Sequence, residues 1–202
     1  MIEKALSTVE SSVRRRILRG QMAKSNVEIP LSCVKPGTVL LVGLAITFEH
    51  SGVYLGDGQV VELHGSGEIK SIPLEQFRRG RNNDPTNLRF GDRIYAACSL
   101  SKEGKFESLF DEVAADAVRK FVGCSIKYDP FYNNCHFFSS SCVNHLQSLS
   151  SSKRMTMIYN LEKSIARAHG IEVRDVFWLP INIPSAAERF AEKIRNTKLG
   201  IQ

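Results

Sequence analysis

Between Thr38 and Ile72 the sequence has a series of strand-forming segments with a tight-turn signal in the middle, and this pattern indicates the fold class. Three segments there are rich in Val, Leu, Ile and Tyr: 38–48, 50–55 and 59–64. A further short strand is predicted over 68–72. Gly56-Asp57-Gly58 separates the second segment from the third. Because glycine readily adopts the positive φ that short hairpin turns need, the pattern predicts an antiparallel sheet with a hairpin at Asp57.

The spacing of apolar residues changes from strand to helix further along the chain. A strand is predicted over 93–99, after an exposed loop over 78–87. Four helices are predicted over 106–121, 134–149, 155–168 and 185–195. Gly123 and Gly170 are suitable stops for the first and third, and Asn133 or Asn134 is the cap of the second. The sequence therefore predicts an α+β protein.

Composition limits the function classes. The chain has 202 residues, a net charge of +6 and 43% hydrophobic residues, as expected of one domain with or without extensions. The charge is too small to indicate nucleic-acid binding, and no nucleic-acid module is recognisable, but it suits an anionic membrane surface. No apolar run is long enough to span a bilayer. We expect a cytoplasmic protein, with peripheral membrane contact as an option.

Three regions follow from these patterns. Residues 1–30 are predicted to be a basic amphipathic extension, because Leu6, Val9, Val13 and Ile17 recur at helical spacing around a run of arginines. This helix is either packed on the domain, loosely solvated or a lipid anchor. Residues 31–150 are the predicted catalytic domain, and residues 151–202 a helical C-terminal extension.

The five cysteines do not have the spacing of a metal site or a disulfide framework. We expect mostly buried free thiols in a reducing compartment, with no metal and no cofactor. Cys142 lies about two helical turns after Cys135 and is expected in the core.

Cys135 stands where a helix is predicted to begin. There the helix dipole and free backbone N–H groups favour a thiolate, and the same N–H groups can hold the oxyanion of a tetrahedral intermediate. His50, at the head of the strand before the glycine turn, is the candidate base, and the small Gly52 leaves room beside it. Each residue alone also suits a structural role, but together they indicate nucleophilic acyl chemistry.

A third group should orient the imidazole, and two residues compete for that role. Glu62 and His64 share one face of the next strand because they are two residues apart. A tight hairpin favours Glu62, and a slipped register would favour His64. No catalytic role is expected for His136, which should point away from the thiol, for His145, which has no visible partner on its helix, or for His169.

These segments together resemble the lecithin retinol acyltransferase family, which includes the H-Ras-like suppressor phospholipases and acyltransferases. The resemblance covers about residues 34–147. The matching positions are Pro36-Gly37, His50, Tyr54, Gly56-Asp57-Gly58, Val60-Val61-Glu62-Leu63 and Asn134-Cys135-His136-Phe137-Phe138. That family belongs to the NlpC-type papain-like superfamily in a circularly permuted form.

The resemblance implies a permuted papain-like fold, with an antiparallel sheet packed against helices. It also implies a thiol-dependent acyltransferase or phospholipase that takes acyl groups from glycerophospholipid esters through a thioester on Cys135. The chain departs from the family at two places. Glu62 occupies the position of the second histidine, and His136-Phe137 stand where the family usually has Glu-His.

Two other functions are consistent with the same residues. One is a cysteine peptidase or amidase of the wider superfamily, which cleavage of amides without lipid turnover would favour. The other is a scaffold of this family with a silent site, which full biological activity of a Cys135→Ala variant would favour.

Overall fold

The computed structural model describes residues 27–44, 48–79, 93–145, 149 and 157–184. Within these residues the chain is α+β, with an eight-stranded, mostly antiparallel sheet and four helices. The strands are β1 (Ile29–Pro30), β2 (Val39–Leu44), β3 (Phe48–Gly56), β4 (Gln59–Leu63), β5 (Ile69–Pro73), β6 (Ile94–Leu100), β7 (Phe106–Ser108) and β8 (Phe177–Asn182). The helices are α1 (Leu74–Arg79), α2 (Glu112–Phe121), α3 (Cys135–Val143) and α4 (Ile158–Ala168).

The sheet is built around the predicted hairpin. Its strand order is β1-β8-β6-β2-β3-β4-β5, with β7 paired to β6, and only β1 and β8 run parallel. β3 and β4 meet at the glycine turn, where Gly56, Asp57 and Gly58 all have positive φ, at 90°, 48° and 70°. The register pairs Gly52 with Glu62. The hairpin expected at Asp57 is thus confirmed.

The core lies on both faces of the sheet, as alternation along β2 shows. Leu40 and Val42 pack in one apolar cluster with Phe77 of α1, whereas Leu41 packs in a second with Ile165 of α4. A third cluster joins β3, β4 and β5 to α2 and α3. α3, which begins at Cys135, therefore has its buried side against the β3–β4 hairpin.

Several predicted boundaries are wrong in detail. The segment 38–48 spans the end of one strand and the start of another, because β2 ends at Leu44 and β3 starts at Phe48. The predicted loop over 78–87 begins inside α1, which runs to Arg79. The predicted helices that start at 134 and 155 are the shorter α3 and α4. The predicted helix over 185–195 lies outside the described residues, as do residues 1–26 of the predicted N-terminal extension over 1–30. The end of that extension is not helical, because Ile29–Pro30 form β1.

The predicted helix over 106–121 is half correct. Its first part is β7, which pairs with β6, and the helix begins only at Glu112. Asp111 caps it by accepting hydrogen bonds from the backbone of Val113 and Ala114. The helix packs on the core through Ala114, Ala115 and Val118, whereas Val113, whose apolar side chain favours burial, is 55% exposed.

The C-terminal region contains a strand as well as a helix. β8 pairs with β6, and Trp178 Nε1 donates a buried hydrogen bond of 2.9 Å to Glu162 Oε1 on α4. The prediction of a purely helical region over 151–202 is therefore incomplete. Pro180 concealed the strand, since proline lacks the N–H of a normal strand residue.

None of the helices in the described ranges has the length and apolar character that crossing a bilayer requires.

Candidate active site

The turn before α3 fixes Cys135 at the first position of the helix. The Asn134 side chain accepts a hydrogen bond of 2.9 Å from the Phe137 N–H, which is the N-cap contact. Its Nδ2 also donates to the Pro130 carbonyl at 2.8 Å. Of the two expected caps, Asn134 is the one that the structure uses. Cys135 is 4% exposed, so the thiol sits in a mostly dry environment at the positive end of the helix dipole.

The loop before this cap is tightly hydrogen-bonded. Asp129 accepts hydrogen bonds through Oδ1 from the backbone N–H groups of Phe131 and Tyr132. The backbones of Asp129 and Asn133 bond each other in both directions. Hydrogen bonds within the loop therefore fix the chain just before Cys135, which favours a pre-organised position for the sulfur.

His50 and Cys135 interact in the folded protein, although they are far apart in the chain. The His50 pKa is raised to about 9. Burial alone would lower this pKa, but the Cys135 thiolate, through its charge and its hydrogen bond, and then Glu62 outweigh burial. The Cys135 pKa is lowered. Burial would raise it, and the opposing effects of His50 and Ser51 prevail. These opposite shifts favour the thiolate–imidazolium form of the pair over the neutral form.

Glu62 holds the other side of the imidazole. Its Oε2 lies 2.8 Å from His50 Nε2, and both side chains are buried. Because Nε2 faces the carboxylate, the ring nitrogen left for the thiol is Nδ1. The row Cys135, His50, Glu62 has the order of nucleophile, base and orienting acid.

His64 does not lie beside the His50 ring as Glu62 does. Its Nδ1 is hydrogen-bonded to the Ser66 hydroxyl at 2.9 Å in the turn after β4. Of the two residues that competed for the third position, Glu62 is the one in contact with His50.

Phe77 and Gly52 complete the surroundings of the imidazole. The rings of His50 and Phe77 are 5.5 Å apart between centroids, so an apolar side chain covers the histidine. A Cβ on Gly52 would lie 2.7 Å from Val60 Cγ1 and 3.0 Å from Phe77 Cε2. The room expected beside Gly52 is thus filled by the residue that packs on His50.

Two residues near the thiol were missed at the level of sequence. Ser51, the residue after His50, lowers the Cys135 pKa through its backbone and its side chain. Tyr128 has a pKa raised to about 12, by burial first and then by the negative charges of Cys135 and Asp129. Nothing local distinguishes Ser51 in the sequence, whereas Tyr128 lies in the loop that leads to Cys135.

The remaining histidines differ partly from expectation. His136 is buried and its Nδ1 lies 3.1 Å from Ser51 Oγ, so it is one residue removed from the thiol and does not point away from the site. His145 lies beyond the end of α3, with a φ of 56°, and pairs with Asp111. The expectation that it had no partner was wrong, because the partner is distant in sequence.

The other cysteines and the acidic groups show no further centre. All five cysteines are free thiols, and burial raises the pKa of both Cys98 and Cys142 to about 12. Cys142 lies in the core, as predicted. Within the described part of the chain, no three His, Cys, Asp or Glu side chains converge in a way that would hold a metal ion.

The fold and the site together define an α+β protein with a buried Cys–His–Glu row at a helix N-terminus. Comparison with models of protein families and with curated proteins gives no match.

Proposed function

We propose that this protein is a thiol-dependent acyltransferase or phospholipase that uses Cys135 as its nucleophile. The observation that carries the proposal is the buried row in which His50 Nε2 lies 2.8 Å from Glu62 Oε2 and His50 and Cys135 shift each other's pKa in opposite directions. A thiolate kept beside an imidazolium is the reactive form in cysteine acyl chemistry.

In the first half-reaction the Cys135 thiolate attacks the carbonyl carbon of an acyl ester. A C–S bond forms, and the carbonyl oxygen becomes an oxyanion that the N–H groups at the start of α3 are suited to hold. The C–O bond to the leaving alcohol then breaks. The His50 imidazolium gives its proton to that oxygen, and the acyl group remains on sulfur as a thioester.

In the second half-reaction water, an alcohol or an amine takes the acyl group. Neutral His50 removes the proton of the acceptor as it attacks the thioester carbonyl, and the C–S bond breaks. Cys135 returns as a thiolate beside the imidazolium. Glu62 keeps the ring oriented and favours its charged form in both steps.

The glycerophospholipid substrate and the permuted papain-like fold belong to the proposal through the resemblance to the lecithin retinol acyltransferase family. The α+β sheet with the histidine strand before the cysteine helix supports that relationship. The basic residues 1–30 are proposed to give peripheral contact with anionic lipid at a cytoplasmic membrane face.

The test is incubation of the purified chain with phosphatidylcholine, followed by mass spectrometry of the peptide that contains Cys135. We expect an acyl adduct on Cys135 and release of lysophospholipid. Cys135→Ala should abolish both. The control is Cys142→Ala, which removes a buried thiol from the same helix outside the Cys–His–Glu row.

Failure of the lipid reaction would contradict the proposal, and the amide panel then separates the two alternatives. Folded protein that forms neither adduct nor lysolipid would exclude the lipid substrate. If the same protein cleaved a panel of peptide amides in a Cys135-dependent way, the alternative of a peptidase or amidase would replace the lipid reaction. If neither panel were turned over, the silent scaffold would be favoured.

A further inference from the structure

Ser51 lies at the centre of a second, fully buried polar group next to the thiol. Its Oγ is 3.0 Å from Ser139 Oγ and 3.1 Å from His136 Nδ1, and both partners lie on the helix that begins at Cys135. Ser51 also lowers the Cys135 pKa. Ser51 and Ser139 are wholly buried and His136 is 7% exposed. The partners come from β3 and from successive turns of α3, so packing of the helix on the sheet creates the group.

If the sulfur is a thiolate, the direction of each hydrogen bond in this group is determined. A serine hydroxyl offers one proton and two lone pairs. A thiolate has no proton to give, so Ser51 must donate its proton to the sulfur. Its two lone pairs are then available to the Ser139 hydroxyl and to an N–H on His136 Nδ1. In this arrangement the proton of His136 is on Nδ1.

We propose that Ser51 is a catalytic residue that donates a hydrogen bond to the Cys135 thiolate, and that His136 and Ser139 are positioning residues that hold the Ser51 hydroxyl in this direction. The proposal extends the acyl-transfer function proposed for Cys135. In this arrangement two groups stabilise the thiolate, the imidazolium of His50 on one side and the Ser51 hydroxyl on the other. A hydrogen bond to a charged group is stronger than one between neutral groups.

The position of His136 explains one departure from the family pattern. Here a histidine, in place of the usual glutamate, directly follows the nucleophile. A buried carboxylate beside Ser51 would accept the proton of the hydroxyl and turn it away from the sulfur. An Nδ1 donor does the reverse, so His136 and Ser51 act as a matched pair.

The test measures the thiol itself and does not depend on acyl turnover. Cys33 and Cys124 are exposed, so both are first changed to serine to leave Cys135 as the reactive thiol. The rate of alkylation of Cys135 by iodoacetamide is then followed against pH by mass spectrometry. The titratable groups around the sulfur are His50, whose charge lowers the Cys135 pKa, Tyr128, whose pKa the Cys135 charge raises, and the neighbouring His136. Glu62 acts on His50 and Asp129 acts on Tyr128, and all five groups are retained in the reference protein.

We expect Ser51→Ala to raise the midpoint of the profile by about one pH unit, which is about a tenfold loss of thiolate on the acid side of the midpoint. His136→Leu and Ser139→Ala should raise it by less. His136→Asn should stay close to the reference, because its amide can donate from nearly the position of Nδ1.

Ser140→Ala is the matched control. Ser140 neighbours Ser139 on α3, and its buried hydroxyl has no hydrogen-bond partner among the described residues. Ser140→Ala should leave the midpoint unchanged. An unchanged midpoint in folded Ser51→Ala, or in folded Ser139→Ala if Ser51→Ala does not fold, would overturn the proposal. If the pH profile of His136→Leu equalled that of the reference protein, the positioning role proposed for His136 would be rejected. Absence of an acyl adduct with phosphatidylcholine would reject only the lipid reaction.

Discussion

At the scale of single residues, the site depends on a charge balance within a dry environment. Burial alone would favour a neutral thiol and a neutral imidazole, because desolvation disfavours both charged forms. The mutual attraction of the pair, with Glu62 and Ser51, reverses that preference. Removing one member therefore leaves the others buried without compensation, which costs more than the lost hydrogen bond alone.

Glu62→Gln tests the orienting role of the carboxylate. The amide has nearly the same shape but no charge, so the His50 pKa should fall and the thiolate should become less favoured. We expect acyl transfer to decrease by on the order of 10²-fold or more. The measurement is the initial rate of lysophospholipid release at neutral pH.

His64→Gln is the matched control for Glu62→Gln, because it changes the other residue of the same sequence pair. It should keep nearly full activity. A large loss with His64→Gln and a small one with Glu62→Gln would reverse the assignment of the third residue.

The pH dependence of activity follows from the two shifted pKa values. The His50 pKa is raised above its usual 6.5 to about 9, so the imidazolium is present below that value and is lost as pH rises through it. The Cys135 pKa is lowered from 9.0, so the thiolate is already present at lower pH. Activity should therefore form a plateau that falls on the alkaline side near pH 9. Rates of acyl transfer across pH 5–10 would show it, and a rate that kept rising through pH 9 would contradict the ion pair.

At the scale of elements, the sequence predicted what depends on local residues. The Gly56-Asp57-Gly58 turn and the Asn134 cap are chemical signals within a few residues, and both were correct. The predicted end of α3 is wrong. Predicted to reach residue 149, α3 stops at Val143, and His145 follows with a φ of 56°. Its partner Asp111 comes from another part of the chain, so no local pattern indicates this ending.

Gly52→Ala tests how closely the hairpin must approach Phe77. The added methyl group would meet Val60, Phe77 and the Val61 carbonyl within 3.0 Å. We expect a loss of about 1–3 kcal/mol in the free energy of unfolding, as for overpacked cores. Activity should fall as well, since Phe77 packs on the His50 ring. Urea unfolding followed by circular dichroism measures the first effect.

Gly65→Ala provides the comparison, because a Cβ there meets no atom within 4 Å and its φ is not positive. Its free energy of unfolding should remain close to that of the unchanged protein. Equal stability of the two variants would show that the hairpin adjusts to the methyl group at little cost.

At the scale of the whole molecule, the fold depends on pairings between distant segments. The α+β class and the approach of Cys135 to His50 could be predicted, because Cys135 directly follows a helix cap and His50 lies on the strand before the glycine turn. His50 lies inside that strand and not at its head, since β3 begins at Phe48. The position of β8 could not be predicted, since Pro180 weakens its strand signal and its partner β6 lies far away in sequence. The contact between Ser51 and His136 could not be predicted either, because the two residues are distant in sequence. Their contact exists only after α3 has packed on β3.

A fragment of residues 31–150 tests whether the predicted catalytic region folds alone. It lacks β8, whose Leu179 and Ile181 belong to the main apolar cluster, and α4, whose Glu162 bonds Trp178. We expect the fragment to show no cooperative unfolding transition in urea. Residues 27–184, which keep every described element, should retain one. A cooperative transition in the short fragment would contradict this expectation.

The parallel pairing of β1 with β8 brings the beginning and the end of the described chain side by side. Ile29 pairs with Ile181, and Pro30 with Asn182. Fluorescent dyes attached at residues 27 and 184 would consequently sit within energy-transfer range while the protein is folded and would separate on denaturation. The fold thus offers a ready optical readout of its own integrity, at a sheet edge whose strands carry none of the Cys–His–Glu row.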